Sequence, residues 1–166
     1  MTDEIIHLYE RLVNILKERE LYISTMESCT GGQVASYITD IEGSSEVIKG
    51  AYVTYSNMAK VLNGVDEDII NRYGVYSYEC ARSMAKACRD KYKADIGIGI
   101  TGTFSNVDEN NEDSIINNVF VSISFNDEYH DLGIKLNDGL KRYEAKDEVA
   151  LKVAEKVLKI LEKKGK

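Results

Sequence analysis

The sequence predicts an α/β protein, a single-domain three-layer α/β/α sandwich built on a mixed β-sheet. Two patterns predict it. Helical periodicity alternates with short apolar strands through the first hundred residues, as in parallel sheets with crossover helices. Two alternating strands then follow with only Asn126-Asp127 between them, which adds an antiparallel hairpin. In order, Ile5, Tyr9, Leu12 and Leu16 form the apolar stripe of a first helix whose wet side carries Arg11, Lys17, Glu18 and Arg19. Residues 21–25 read as a short strand, and Val34, Ile38 and Ile41 as a second helix. A strand over 47–54 leads into two short helical pieces at 57–62 and 66–72. Ser77 can cap a longer helix with the stripe Ala81, Met84, Cys88 and Tyr92. Residues 94–100 read as a buried strand in which Gly97 and Gly99 leave room for a close-packed helix. Val119, Val121, Ile123 and Phe125 alternate as the first hairpin strand, with Leu132, Ile134 and Leu136 on the second. A closing helix from about residue 139 carries Val149, Val153, Val157 and Ile160, and the last four residues read as a solvated basic tail.

Composition bounds the function. At 166 residues the chain fits one domain with a sizeable core, and 43% apolar with 30% charged residues is ordinary for a soluble protein. A net charge of −7 argues against a broad nucleic-acid surface but leaves room for a mononucleotide, which needs only a local cluster of donors. No apolar run approaches the roughly 20 residues that span a bilayer, and the first residues lack a signal-peptide pattern, so a cytoplasmic location without membrane association is expected. Three cysteines without a C-x-x-C pair give neither a disulfide framework nor a zinc signature, and no metal is expected. Cys80 and Cys88 read as core residues of one helix. Self-association into a homo-oligomer stays open.

The segment with most chemistry is Glu27-Ser28-Cys29-Thr30-Gly31-Gly32, at the join from strand to helix. Two readings of it are open. Backbone N–H groups at a helix N-terminus make an anion site, with Ser28, Cys29 and Thr30 placed to meet a ligand. Alternatively it is a turn in which Ser or Thr caps the helix. Further along come Gly43-Ser44-Ser45, Thr54-Tyr55-Ser56-Asn57 with Lys60 four residues past Ser56, Val75-Tyr76-Ser77, Ser83-Met84-Ala85 and Ile98-Gly99-Ile100-Thr101-Gly102.

In order and spacing these blocks resemble the CinA C-terminal domain family, over about residues 21–123 with a weaker echo in the last helix. Characterised members of that family are nicotinamide-nucleotide amidohydrolases, so the resemblance implies hydrolysis of nicotinamide mononucleotide without metal or organic cofactor. It also implies the three-layer fold. Larger members carry an N-terminal molybdopterin-biosynthesis-like domain, for which this sequence has no room. The resemblance makes Ser28 the candidate nucleophile and Lys60 its base, with Tyr55 relaying a proton or orienting the ammonium. To serve as base, Lys60 must lose its proton, which partial burial favours. Cys29 ranks second as nucleophile, because a helix N-terminus lowers a thiol pKa. Thr30, Gly31 and Gly32 are expected to supply hydroxyl and backbone donors to the ligand, and Thr101 and Gly102 to contact it from a strand end. Arg142 and Lys146 approximate the family's phosphate or substrate contacts, although a solvated helix face explains both equally well. Tyr52, Tyr55, Tyr76 and Tyr78 are candidates for stacking on a base, among 11 tyrosines that mostly pack. The two histidines, His7 and His130, adjoin no site element, which disfavours a Ser-His-Asp triad.

One segment departs from the family. Where small residues and prolines are usual after Thr101-Gly102, residues 104–118 are rich in Asn, Asp, Glu and Ser and read as a long mobile loop. Asp108, Glu109, Glu112 and Asp113 bring negative charge to a pocket that is to take a phosphate. The alternative function is therefore a non-catalytic homologue serving as a ligand-binding or assembly module. A third possibility keeps the chemistry with a different amide. Whether Ser28 and Lys60 lie within hydrogen-bonding reach in a concave pocket discriminates enzyme from module.

Overall fold

The computed structural model describes residues 2–163; the basic tail expected at the end lies, from residue 164 onward, outside the described residues. Its secondary structure runs α1 (Thr2–Glu18), β1 (Ile23–Glu27), α2 (Gln33–Thr39), a 3₁₀ turn (Ser44–Glu46), β2 (Ile48–Val53), α3 (Asn57–Leu62), α4 (Glu67–Tyr73), α5 (Tyr78–Tyr92), β3 (Ile96–Gly102), β4 (Asn118–Phe125), β5 (Glu128–Lys135) and α6 (Arg142–Lys163). The sheet order is β2-β1-β3-β4-β5. β1 is parallel to both β2 and β3, while β4 and β5 join antiparallel, so the sheet is mixed as expected. Asn126 and Asp127 both take positive φ, the backbone that a two-residue hairpin of matching twist requires.

Two apolar layers close the sandwich. On one face α1, α2 and α6 bury Ile5, Tyr9, Leu12, Val34, Ile38, Val149 and Val153 against Ile96, Ile98, Ile100, Val121 and Ile123 of the sheet. On the other, Cys80, Met84 and Cys88 of α5 meet Met26, Val65 and Val75. Both helix cysteines are thus core residues, and Ser77 caps α5 by accepting from the Cys80 amide. Among the described residues no helix is long and apolar enough to cross a membrane.

The chain leaves β1 through α2 to reach β2 on one side, then passes α3–α5 to reach β3 on the other. Since α2 and α5 cover opposite faces, the carboxyl ends of β1, β2 and β3 splay a crevice, the usual ligand position in such sheets. Backbone pairing continues just past the strands: the Ser28 amide bonds the Ile100 carbonyl at 3.0 Å, and the Thr54 amide the Glu27 carbonyl at 2.8 Å. Ser28 and Thr54 are thereby fixed at the crevice.

α5 approaches β3 closely because of two glycines. A methyl at Gly99 would sit 2.0 Å from the Ala81 carbonyl oxygen, and one at Gly97 2.0 Å from that of Ala85. Backbone cannot yield as a side chain does. Gly99→Ala is therefore expected to lower unfolding free energy by about 1–3 kcal/mol or more in urea titration, as overpacked cores do. An unchanged midpoint would mean that the helix is free to lift away.

Candidate active site

The turn after β1 is organised by a residue to which the sequence reading gave no role. Glu27 is fully buried at the end of β1, on the same face as Ile23 and Thr25. Its carboxylate accepts from the Thr30 hydroxyl (2.6 Å), the Thr25 hydroxyl (3.1 Å) and the amides of Gly32 (3.1 Å), Val34 (3.2 Å) and Ala35 (2.9 Å). The N-terminus of α2 is thus an anion site, but the anion is the protein's own. Ser or Thr does not cap the helix either: the N-cap is Gly32, at φ 96°, with no side-chain cap. Thr30 and Gly32 spend their donors on Glu27 instead of a ligand. Gly31, at φ 59°, closes the turn by bonding the Ser28 carbonyl at 2.9 Å. None of these three lines the adjoining cleft.

With the turn fixed, Ser28 and Cys29 face that cleft, of about 470 Å³, at the sheet's carboxyl edge. Lys60 rises behind Ser28 from α3, where Ser56 caps the helix by accepting from the Ala59 amide. Only 2% of Lys60 is exposed. Its Nζ lies 3.2 Å from Ser28 Oγ and 2.9 Å from the Thr54 carbonyl oxygen. Burial pushes the Lys60 pKa below the ordinary 10.5, against the opposing pull of Cys80, Cys29 and Asp108. A neutral amine at this distance accepts the serine proton. The Thr54 carbonyl, a backbone feature invisible in residue types, holds that amine in place.

Tyr55 does not orient Lys60. It is 62% exposed, and its hydroxyl accepts from Arg142 Nη2 at 2.8 Å at the cleft mouth. Arg142 also lies over the Phe104 ring, 5.3 Å from its centre. Gly102 lines the cleft. Thr101 does not: it is fully buried and its hydroxyl donates to the Val75 carbonyl at 2.9 Å. Lys146 sits under the turn, its Nζ 3.2 Å from where a Gly31 methyl would be. Of the tyrosines proposed to stack, Tyr52 pairs with Tyr92, and Tyr78 with Phe120. Tyr55 and Tyr76 line the cleft.

Cys29 has the opposite character to the one its position suggested. It is buried beside Glu27, and its thiol pKa is pushed up to about 12, first by burial and then by the Glu27 charge. A protonated thiol is a poor nucleophile. The helix dipole that was to activate it is already spent on Glu27.

Residues 103–117 are tied to the body of the protein at several points, although Val107, Ile115 and Ile116 between those points stay exposed. Phe104 and Asn117 are buried, and the loop folds over the cleft. The Tyr76 hydroxyl donates to Asp108, Asn57 and Asn111 join side chains at 2.9 Å, and Asp113 accepts from the Tyr76 amide at 3.2 Å. Asn117 reaches Asp138 at 2.8 Å. The Asn and Asp content that resembled disorder is spent on these anchors. Glu109 and Glu112 do face solvent.

A larger groove, about 910 Å³, lies between α4 and α5. Its serine, Ser83, accepts from the Asp66 amide, and its two lysines, Lys86 and Lys91, are exposed, Lys86 paired with Asp90, so no buried lysine stands against a serine there. His7 on α1 lies against Glu10, and His130 on β5 pairs across the sheet with Ile123; neither lines the cleft. Among the described residues no group of three or more His, Cys, Asp or Glu side chains is gathered as a metal site.

Glu27→Ala leaves five donors without their acceptor. At about 1–3 kcal/mol for an unsatisfied buried group, less where water enters, it is expected to cost at least about 3 kcal/mol in denaturant titration. A loss under about 1 kcal/mol would show that the turn forms without the carboxylate.

Comparison with known proteins identifies the family and the fold. The CinA C-terminal domain family matches residues 6–164. A CinA-like protein of Chlorobaculum tepidum is 46% identical over 96 residues, 57% of this chain and 23% of that protein. A CinA-like protein of Flavobacterium psychrophilum is 38% identical over 114 residues, 68% of this chain and 27% of the relative. The chain thus spans about a quarter of the length of these relatives. Among solved structures, the competence/damage inducible protein CihA of Agrobacterium tumefaciens superposes with a TM-score of 0.84 at 25% identity, covering 93% of this chain and 94% of that one. A CinA superfamily protein of Escherichia coli superposes with a TM-score of 0.88 over 96% and 92% of the two chains, at an identity of 23% that speaks to fold alone. The chain belongs to the CinA C-terminal domain family.

Proposed function

We propose that this domain is an amidohydrolase that converts nicotinamide mononucleotide and water to nicotinic acid mononucleotide and ammonia. The observation that carries the reading is Lys60 Nζ at 3.2 Å from Ser28 Oγ, the lysine buried and the serine at the wall of a cleft. Neutral Lys60 takes the Ser28 proton as Oγ attacks the carboxamide carbon. The lysine ammonium returns that proton to the departing nitrogen; the C–N bond breaks, ammonia leaves, and the acyl group stays as an ester on Ser28. Lys60 then deprotonates a water molecule that cleaves the ester, and serine regains its proton. The chain's own groups suffice for each proton transfer. The same proximity weighs against a non-catalytic module, which has no need of a buried lysine against a serine hydroxyl.

Ammonia release from the mononucleotide, compared with a boiled control, tests the proposal; no release contradicts it. Ser28→Ala and Lys60→Ala are each expected to lower turnover at least about 100-fold, roughly 3 kcal/mol of transition-state stabilisation, and the double variant little further. Cys29→Ala is expected to keep most activity; a folded but inactive variant would move the nucleophile to sulfur. The pH dependence has a definite sign. Because the base is unprotonated lysine, kcat/KM is expected to rise with pH to a midpoint below 10.5. A rate that falls over the same range would rule out Lys60 as the base.

A further inference from the structure

The cleft carries one negative and one positive side chain, and they are kept apart. Among the described residues lining it, Asp108 is the only carboxylate and Arg142 the only cation. They make no ion pair among the described residues. Arg142 instead donates to Tyr55 and lies over Phe104, while Asp108 accepts from Tyr76, from Asn111 at 2.7 Å and from the Asn110 amide at 2.9 Å. Three donors to one carboxylate fill most of its roughly four acceptor positions. What Asp108 offers the cleft is therefore charge, with little hydrogen-bonding capacity left.

A partner suited to such a group is a cation without N–H donors, since it needs the field and no acceptor. A ring nitrogen made positive by substitution, with its charge spread over ring C–H groups, has that character. A carboxamide on a neutral ring does not. Burial opposes the ionisation of Asp108, but the bonds from Tyr76, Asn111 and Asn110 and the nearby Lys60 charge prevail and hold its pKa below the ordinary value. The lysine is no permanent partner, because as general base it works neutral. Glu109 and Glu112 do not line the cleft, and Asp113 is turned against Gly74 and the Tyr76 amide. Among the described residues lining the cleft, a single fixed negative charge therefore faces it.

We propose that Asp108, latched over the cleft by Tyr76 and Asn111, is the residue that selects carboxamides on a positively charged ring over those on a neutral one. The inference deepens the amidohydrolase reading and rests on it for the carboxamide. It also turns the acidic loop from an obstacle into a selector: the negative charge meets the ring, and Arg142 at the mouth is left for the substrate's anionic end. A zwitterionic nucleotide fits this pair of charges, and a purely anionic one does not.

Binding is measured by calorimetry in the full chain carrying Ser28→Ala, which cannot hydrolyse the probes. The probes are nicotinamide riboside, cationic at the ring, and its dihydro form, neutral at the ring; neither has a phosphate, so Arg142 is not engaged. The cationic riboside is expected to bind about tenfold tighter or more, as one desolvated charge contact allows. Adding Asp108→Asn, which keeps an oxygen for Tyr76, is expected to remove that preference by weakening the cationic probe alone. Adding Tyr76→Phe, which keeps the charge but removes one of its two side-chain latches, is expected to reduce the preference less than Asp108→Asn does. A preference that survives Asp108→Asn overturns the proposal, as does equal binding, or none, in the parent. Ammonia release from the mononucleotide separates the two readings. Turnover with an Asp108-independent preference overturns only the selector role. Absence of turnover with the preference intact overturns only the amidase.

Discussion

The structure of the site depends on the burial of one carboxylate. Glu27 ends the central strand inside the protein, where its charge has no water to solvate it, and the chain supplies five donors in place of water. Two of them, Thr25 and Thr30, are side chains on either side of it; three are amides of the incoming helix. Satisfying Glu27 therefore fixes the turn between them. Ser28 and Cys29 are carried by that turn, and their directions are set with it: one serine at the cleft wall against Lys60, one thiol buried and held protonated.

This constraint also explains which parts of the site were legible in the sequence. Ser28 and Lys60 were, because the Ser-Cys-Thr-Gly-Gly turn and the Tyr-Ser-Asn block with its following lysine are distinctive in order and spacing. The fate of the helix N-terminus was not. A glutamate before such a turn reads as the last residue of a strand, and nothing in residue type says whether it points to solvent or into the donors beyond it. Its place directly after the strand-like segment 21–25 was the available signal, since a charge in a buried strand needs partners close by. The same gap misplaced Thr30 and Gly32 as ligand donors.

Elements with strong periodicity, such as α1, α5 and the β4–β5 hairpin, were readable because one face is apolar and the turn chemistry is specific. Residues 103–117 were not, because the composition of a solvated loop and of a hydrogen-bonded one is the same. Asn and Asp anchor a segment as readily as they loosen it, and only the positions of Tyr76, Asn57 and Asp138 decide between the two. The Thr54 carbonyl that holds Lys60 and the Arg142–Tyr55 contact are likewise products of folding that residue types do not announce.

Burial at Glu27 imposes a division of labour at the sheet's carboxyl edge. The protein fills its own anion site, so the amides at this helix terminus are bonded to Glu27 and what faces the cleft is side chains. Lysine chemistry is made possible by the same dryness that required the glutamate's donors. The most direct test of this account is the titration of Lys60 itself, followed by NMR of lysine side chains labelled at Cε and assigned by loss of one signal in Lys60→Arg. The account predicts a midpoint below 10.5, from burial. A midpoint at or above that value would mean a permanently charged lysine, and would contradict the role of Lys60 as the base that activates Ser28.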